Sequence, residues 1–235
     1  MRVRYKFTLQ RARKYLKLAI AFELFLVIVF LSVKQLEVAN RVVQFLFNLN
    51  GEYNIPAFFS AAQLFLVGRI FISINKENKA STFIPTSLFS VLGFGFIYLS
   101  IDEAFHLHEN MSGLLRNAEW IPKFYGGHGV WVLPYFLIGL VCFLYYSKIL
   151  LKIWRKYPKE LSIIVSGFTI YLLAVLGLEI INLLFILGKP VTQFVYLTEV
   201  SVEEFLEMIS ITIVLYGAVW LRQSLTEKQT ENIVT

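Results

Sequence analysis

Six long apolar stretches dominate this chain and leave it few possible folds. They run about Leu16–Val33, Pro56–Ile74, Phe83–Ile101, Val130–Leu151, Leu161–Leu187 and Leu197–Leu221. A bilayer core takes roughly 20 apolar residues of helix to cross. The expected fold is therefore all-α: a polytopic transmembrane bundle of six spans, forming a single domain over residues 1–235. Composition agrees, with 57% hydrophobic and only 16% charged residues, where soluble domains carry about 25% charged.

The net charge of +6 would suggest nucleic acid in a soluble protein. Here Lys and Arg stand at the ends of the apolar stretches, so they set orientation and meet anionic lipid. Arg2, Arg4, Lys6, Arg11, Arg13, Lys14 and Lys17 precede the first span, and Lys76 and Lys79 follow the second. Lys148, Lys152, Arg155, Lys156 and Lys159 follow the fourth, and Arg222 and Lys228 the sixth. The alternate loops carry fewer: Lys34 and Arg41, Arg116 and Lys123, then Lys189. Six spans put every rich segment on one side, with both termini cytoplasmic. Five or seven would spoil the alternation. The basic N-terminus reads as the flank of a retained first span, since no small-residue cleavage site follows. The single cysteine, Cys142, excludes an internal disulfide and a CxxC pair.

Two segments between spans are more than turns. Leu36–Leu49 reads as a short interfacial helix, ending in the turn-forming run Asn50-Gly51-Glu52-Tyr53-Asn54 before Pro56. The segment Glu109–Gly129 holds Trp120, Tyr125 and a Gly126-Gly127-His128-Gly129 run, and with Trp131 it suits an aromatic belt.

Candidate chemistry concentrates at the end of the third span, in Ser100-Ile101-Asp102-Glu103-Ala104-Phe105-His106-Leu107-His108-Glu109. If the helix continues, Asp102, His106 and Glu109 share a face and His108 lies off it. Glu103 and His106 form Glu-x-x-His, a spacing that lets both reach one metal ion. The sixth span opens with Glu199, Glu203, Glu204 and Glu207, and the fifth carries Glu179 with Asn182 close behind. A charge well inside the bilayer costs about 2.5–3.5 kcal/mol on insertion scales, so a cation, a proton or hydrogen bonds must offset it. Glu199 and Glu204 also fit an interfacial position. In the six-span topology these acids and all three histidines, His106, His108 and His128, fall toward the outer side. His, Asp and Glu without thiolates fit a divalent metal, zinc or iron. The expected metal ligands are His106, Glu109, Glu179, Glu203 and His128, and the expected catalytic groups Asp102, Glu103 and Glu207. Glu23 and Arg69, at similar depth toward the inner side, read as an ion pair; Ser60 and Gln63 read as hydrogen-bonding between helices.

The Ser-x-Asp-Glu…His-Glu run within Leu99–Glu109 and the turn Leu49–Ser60 resemble segments of uncharacterised bacterial multispan membrane proteins. That resemblance implies a multi-pass protein of a bacterial plasma membrane and carries no reaction. More loosely, Ser100, Asp102 and three histidines resemble the zinc-binding set of alkaline ceramidase and adiponectin-receptor-type membrane hydrolases. Those have seven spans and a late histidine pair, which this chain lacks. Three functions stay open on these residues. One is a metal-dependent membrane enzyme, hydrolase or oxidase, acting on a lipid or other apolar substrate. The second is an ion- or proton-coupled transporter; many transporters show internal repeats and broken helices, and neither a repeat nor a broken helix is visible in the sequence. The third is a non-catalytic membrane subunit or assembly factor.

Overall fold

The computed structural model describes residues 9–77, 86–115, 130–186 and 189–234, apart from the side chains of Thr86, Glu179, Leu183 and 228–234. Six helices are long and apolar enough to cross a membrane. The elements are α1 (Leu9–Gln35), α2 (Arg41–Leu46), α3 (Ile55–Glu77), α4 (Thr86–Phe105), α5 (Leu107–Leu115), α6 (Val132–Lys156), α7 (Pro158–Leu172), α8 (Glu179–Ile181) and α9 (Gln193–Val234). The chain is an integral membrane protein, and the lipid bilayer is its surroundings.

Most spans extend beyond the apolar stretches that announce them. α1 starts at Leu9 and carries Arg11, Arg13, Lys14 and Lys17 in its first turns. Nothing in the headgroup region forces a helix to stop where hydrocarbon stops, and long basic side chains reach the interface from there. The short helix expected within Leu36–Leu49 is α2, capped by Asn40, whose side-chain oxygen accepts from the N–H of Val42 and Val43.

α9 is the central element. It packs on α7, α1 and α3, while α3 and α4 form the closest antiparallel pair. Without a hydrophobic force between helices in lipid, small residues that let backbones approach decide such pairs. A Cβ on Gly68 of α3 would lie 2.7 Å from the carbonyl oxygen of Gly93 in α4. A Cβ on Gly167 of α7 would lie 2.9 Å from the carbonyl oxygen of Ser210 in α9. At the end where α3 finishes and α4 begins, Arg222 donates in a fork to both carboxylate oxygens of Glu77, from Nη2 at 2.6 Å and Nε at 3.1 Å.

α7 does not continue as one regular helix. π-helical windings occupy Leu173–Leu178 and Asn182–Ile186, with α8 between them. Such windings leave a helix's regular register and are frequent at functional sites. α6 packs less closely on the bundle, and many of its apolar residues, such as Ile138, Val141 and Leu144, are exposed as lipid-facing residues are.

The expected Glu23–Arg69 ion pair does not form. Arg69 is exposed, while Glu23 is fully buried and held by Gln63 and Thr212. A shared depth placed the two residues near each other in sequence logic, but α3 turns Arg69 outward and Gln63 inward. Gln63 bonds between helices as expected.

Candidate functional site

The site is assembled where α4 breaks. α4 ends at Phe105, and His106 takes φ +50° before α5 starts at Leu107. A non-glycine residue in the left-handed region is uncommon, and here it redirects everything that follows. The helix does not run on through His106, so the face expected to join Asp102, His106 and Glu109 does not exist. Instead the chain folds back, and Asp102 binds His108: Oδ1 accepts from the His108 N–H at 2.9 Å and Oδ2 pairs with His108 Nδ1 at 3.0 Å. Asp102 thereby caps the first turn of α5, satisfying one of the donors a helix start leaves unpaired.

His106 points to a different partner set. Its Nδ1 is 3.8 Å from Glu52 and 3.9 Å from Glu109. One ligand atom from each of Glu52, His106 and Glu109 lies within 4.8 Å of the others. Glu52 comes from the Asn50–Asn54 turn, which Asn54 holds in shape. The buried Asn54 amide donates to the carbonyls of Asn48 at 2.7 Å and Gly51 at 2.8 Å, and its oxygen accepts from the Ala57 N–H at 3.1 Å. Tyr53, with φ +55°, lays its ring 5.5 Å from that of His106. The second ring nitrogen of His106, Nε2, is buried with no hydrogen-bond partner among the described residues.

The two imidazoles sit in opposed electrostatic settings. Burial lowers the pKa of His106 from its ordinary value, and the pull of Glu52 does not restore it. His106 is thus held neutral, the form a metal requires. Burial also opposes charge on His108, but the hydrogen bond and charge of Asp102, with Glu109 and Glu103, outweigh it and raise the pKa. Environments that push paired groups apart in this way separate their roles.

Both imidazoles border one large cavity, of about 1040 Å³. Asp102 and Glu103 of α4, His106 at the break, and His108 and Glu109 of α5 line it, with Glu203, Glu204 and Glu207 from α9. Asn182, in the second π winding, lines it too and donates to Glu199 at 2.9 Å. Glu204 feels the charges of Glu103, Glu203, Glu109 and Glu199 together. Trp131, expected in an aromatic belt, is buried with its ring 5.0 Å from His108 and 5.6 Å from Tyr135. Tyr135 and Tyr98 share a hydrogen bond of 2.9 Å between their hydroxyls. Away from this polar end the walls are apolar: Phe89 and Leu92 of α4, Leu140 and Tyr146 of α6, Phe168 and Leu172 of α7.

Of the expected site residues, Asp102, Glu103, His106, Glu109, Glu203 and Glu207 share this cavity. His128 lies outside the described residues, as does the side chain of Glu179. Sequence reasoning passed over Glu52 and Asn50, which also lines the cavity. Their signal was present only as a turn-forming run preceding a proline.

Comparison with known proteins adds a family without an assigned activity. The family described as a domain of unknown function (DUF8692) matches residues 18–221. No curated protein matches the chain, and no solved structure does.

Proposed function

The chain belongs to the DUF8692 family, and from the geometry of its cavity we propose that it is a metal-dependent membrane enzyme acting on an amphipathic, lipid-like substrate. The observation that carries this reading is the position of the acids and imidazoles at one end of an otherwise apolar cavity of about 1040 Å³. That volume is at the top of the range for small-molecule sites. The apolar walls suit a hydrocarbon chain, and the polar end suits the group that reacts.

In this reading Glu52, His106 and Glu109 hold a divalent cation, zinc or iron. Their ligand atoms, each within 4.8 Å of the others, would draw closer around the ion to reach coordination distance. Three protein ligands leave a position open, as catalytic zinc sites do. Glu203 offers a further carboxylate from the same cavity, and Glu179 and His128 remain candidates beside it. When bound, the cation polarises a substrate bond or lowers the pKa of a water; zinc directs this to hydrolysis and redox-active iron to oxidation. Asp102 orients His108 as a charged donor beside the reacting group. Glu103 and Glu204, close enough to share charge, accept and return protons, with Glu207 on the same cavity wall. The site faces the outer side of a bacterial plasma membrane with both termini cytoplasmic, following the positive-inside distribution.

The test is turnover. Purified protein, stripped with a chelator and reloaded with zinc or with iron under reductant, is incubated with a panel of membrane lipids. Products are followed by mass spectrometry. Metal-dependent conversion of one lipid class, abolished by Glu103→Gln or Asp102→Asn, supports the reading. Conversion by neither form, with Asp102 and His106 variants merely unstable, assigns the polar cluster to packing and ends it.

A further inference from the structure

A second polar centre lies outside the cavity, where α1, α3 and α9 cross. Glu23, Gln63 and Thr212 meet there, with exposures of 0%, 4% and 3%. None of the three lines the cavity. Gln63 Nε2 donates to Glu23 Oε1 at 2.8 Å and to Thr212 Oγ1 at 2.5 Å. The Thr212 hydroxyl donates to the same Glu23 Oε1 at 2.5 Å. These three bonds use every side-chain hydrogen the amide and the hydroxyl own.

Two atoms are left over, Glu23 Oε2 and Gln63 Oε1, both buried without a partner among the described residues. Both are acceptors, so neither can satisfy the other as the groups stand. They belong to two planar groups already joined by one hydrogen bond. A carboxylic acid and a primary amide pair through two parallel bonds when a hydrogen sits on the second carboxyl oxygen. One proton on Glu23 Oε2, donated to Gln63 Oε1, therefore satisfies both leftover atoms. It also removes a full charge from a lipid-embedded interior, where an unpaired charge is costly.

We propose that Glu23 is a proton-binding site, held as the neutral acid in a two-bond pair with Gln63, and that release of this proton loosens α1 from α3 and α9. Among the described residues no other charge takes over its role. From α3 the group facing Glu23 is Gln63, and Arg69 is exposed. From α9 it is Thr212; Glu207 lines the cavity, and the Tyr216 hydroxyl lies 3.3 Å from Arg13 on α1. A monovalent cation such as sodium is the rival occupant, because two free oxygens would also suit one.

Infrared spectroscopy of the full chain in lipid nanodiscs tests this. The difference spectrum of wild type minus Glu23→Gln should contain the C=O band of a protonated, hydrogen-bonded carboxylic acid at neutral pH. Glutamine keeps both parallel bonds, so the folded-to-unfolded ratio of Glu23→Gln should stay within about fivefold of wild type. Glu23→Ala, which leaves Gln63 only Thr212 as a partner, should lower it further. On raising the pH, wild type should lose stability that Glu23→Gln retains. An ionised carboxylate band from Glu23 at neutral pH would overturn the proposal. So would stability that depends on sodium, at constant ionic strength, in wild type but not in Glu23→Gln. If Glu23→Gln does not fold, the wild-type spectrum recorded against pH carries the same test through loss of the acid band.

Discussion

Gly68→Ala probes the contact that fixes α4, and hence Asp102 and the break at His106, against the rest of the bundle. The new Cβ would lie 2.7 Å from the Gly93 carbonyl oxygen and 2.8 Å from Ile97 Cγ1. A side chain can swing away; a backbone carbonyl inside a helix cannot, so α3 and α4 must separate by several tenths of an ångström. Overpacking of this kind costs about 1–3 kcal/mol. Alanine also favours a helix over glycine by about 1 kcal/mol, which would mask part of the loss. Gly95→Ala supplies the correction, because Gly95 is on the same helix as Gly93 and a Cβ there meets nothing within 4 Å. The propensity gain cancels between the two variants and leaves the overpacking. Unfolding in mixed micelles with a rising fraction of denaturing detergent, followed by far-ultraviolet circular dichroism, measures the pair. Gly95→Ala should equal or exceed wild type, and Gly68→Ala should fall below Gly95→Ala by about 1–3 kcal/mol. Equal stability of the two variants would refute the close approach of α3 and α4.

Further outcomes follow from the site. The pKa of His108 is raised in the folded protein, so the folded state holds its proton more tightly than the unfolded chain. Its stabilising contribution is complete below the ordinary histidine value of about 6.5 and is lost as pH rises through the folded value. In chelator-treated protein, Asp102→Asn should flatten that pH dependence of the unfolding midpoint; an unchanged slope would place the pairing elsewhere. Gly139 lines the cavity and a Cβ there meets nothing within 4 Å, so Gly139→Trp should fill space without loss of fold. Native mass spectrometry should then show less co-purified lipid than in wild type, and equal lipid occupancy would argue against the cavity as the binding place.

The spans were legible because hydrocarbon thickness sets a minimum length that few other folds imitate, and each apolar stretch falls on a crossing helix. Their ends were less so, since α1 and α9 run well past the apolar stretches. Asp102, His106 and Glu109 were found as chemistry-bearing residues, but their pairing was misread. Helical periodicity assumed that α4 continued, and the enrichment of histidine at positive φ is too weak to announce a break at His106. Once the chain turns there, the residue placed off the face, His108, becomes the partner of Asp102. Glu52 was invisible as a ligand for a related reason: only tertiary structure brings the turn before α3 to the end of α4. The windings around Glu179 and Asn182 were hidden too, because a π winding changes hydrogen-bond register without changing apolar content. Glu23 was recognised as needing a partner, but depth alone did not distinguish Arg69 from Gln63.

The central claim is a cation site built from Glu52, His106 and Glu109. Equilibrium titration of chelator-stripped protein with zinc, by calorimetry in detergent, tests it most directly, with His106→Ala and Glu52→Gln titrated in parallel. One ion per chain in wild type, weakened at least tenfold in Glu52→Gln and lost in His106→Ala, is the expected result; a tenfold weakening corresponds to about 1.4 kcal/mol. Zinc binding of equal strength in all three proteins, or none in the wild type with either zinc or ferrous iron, would contradict it.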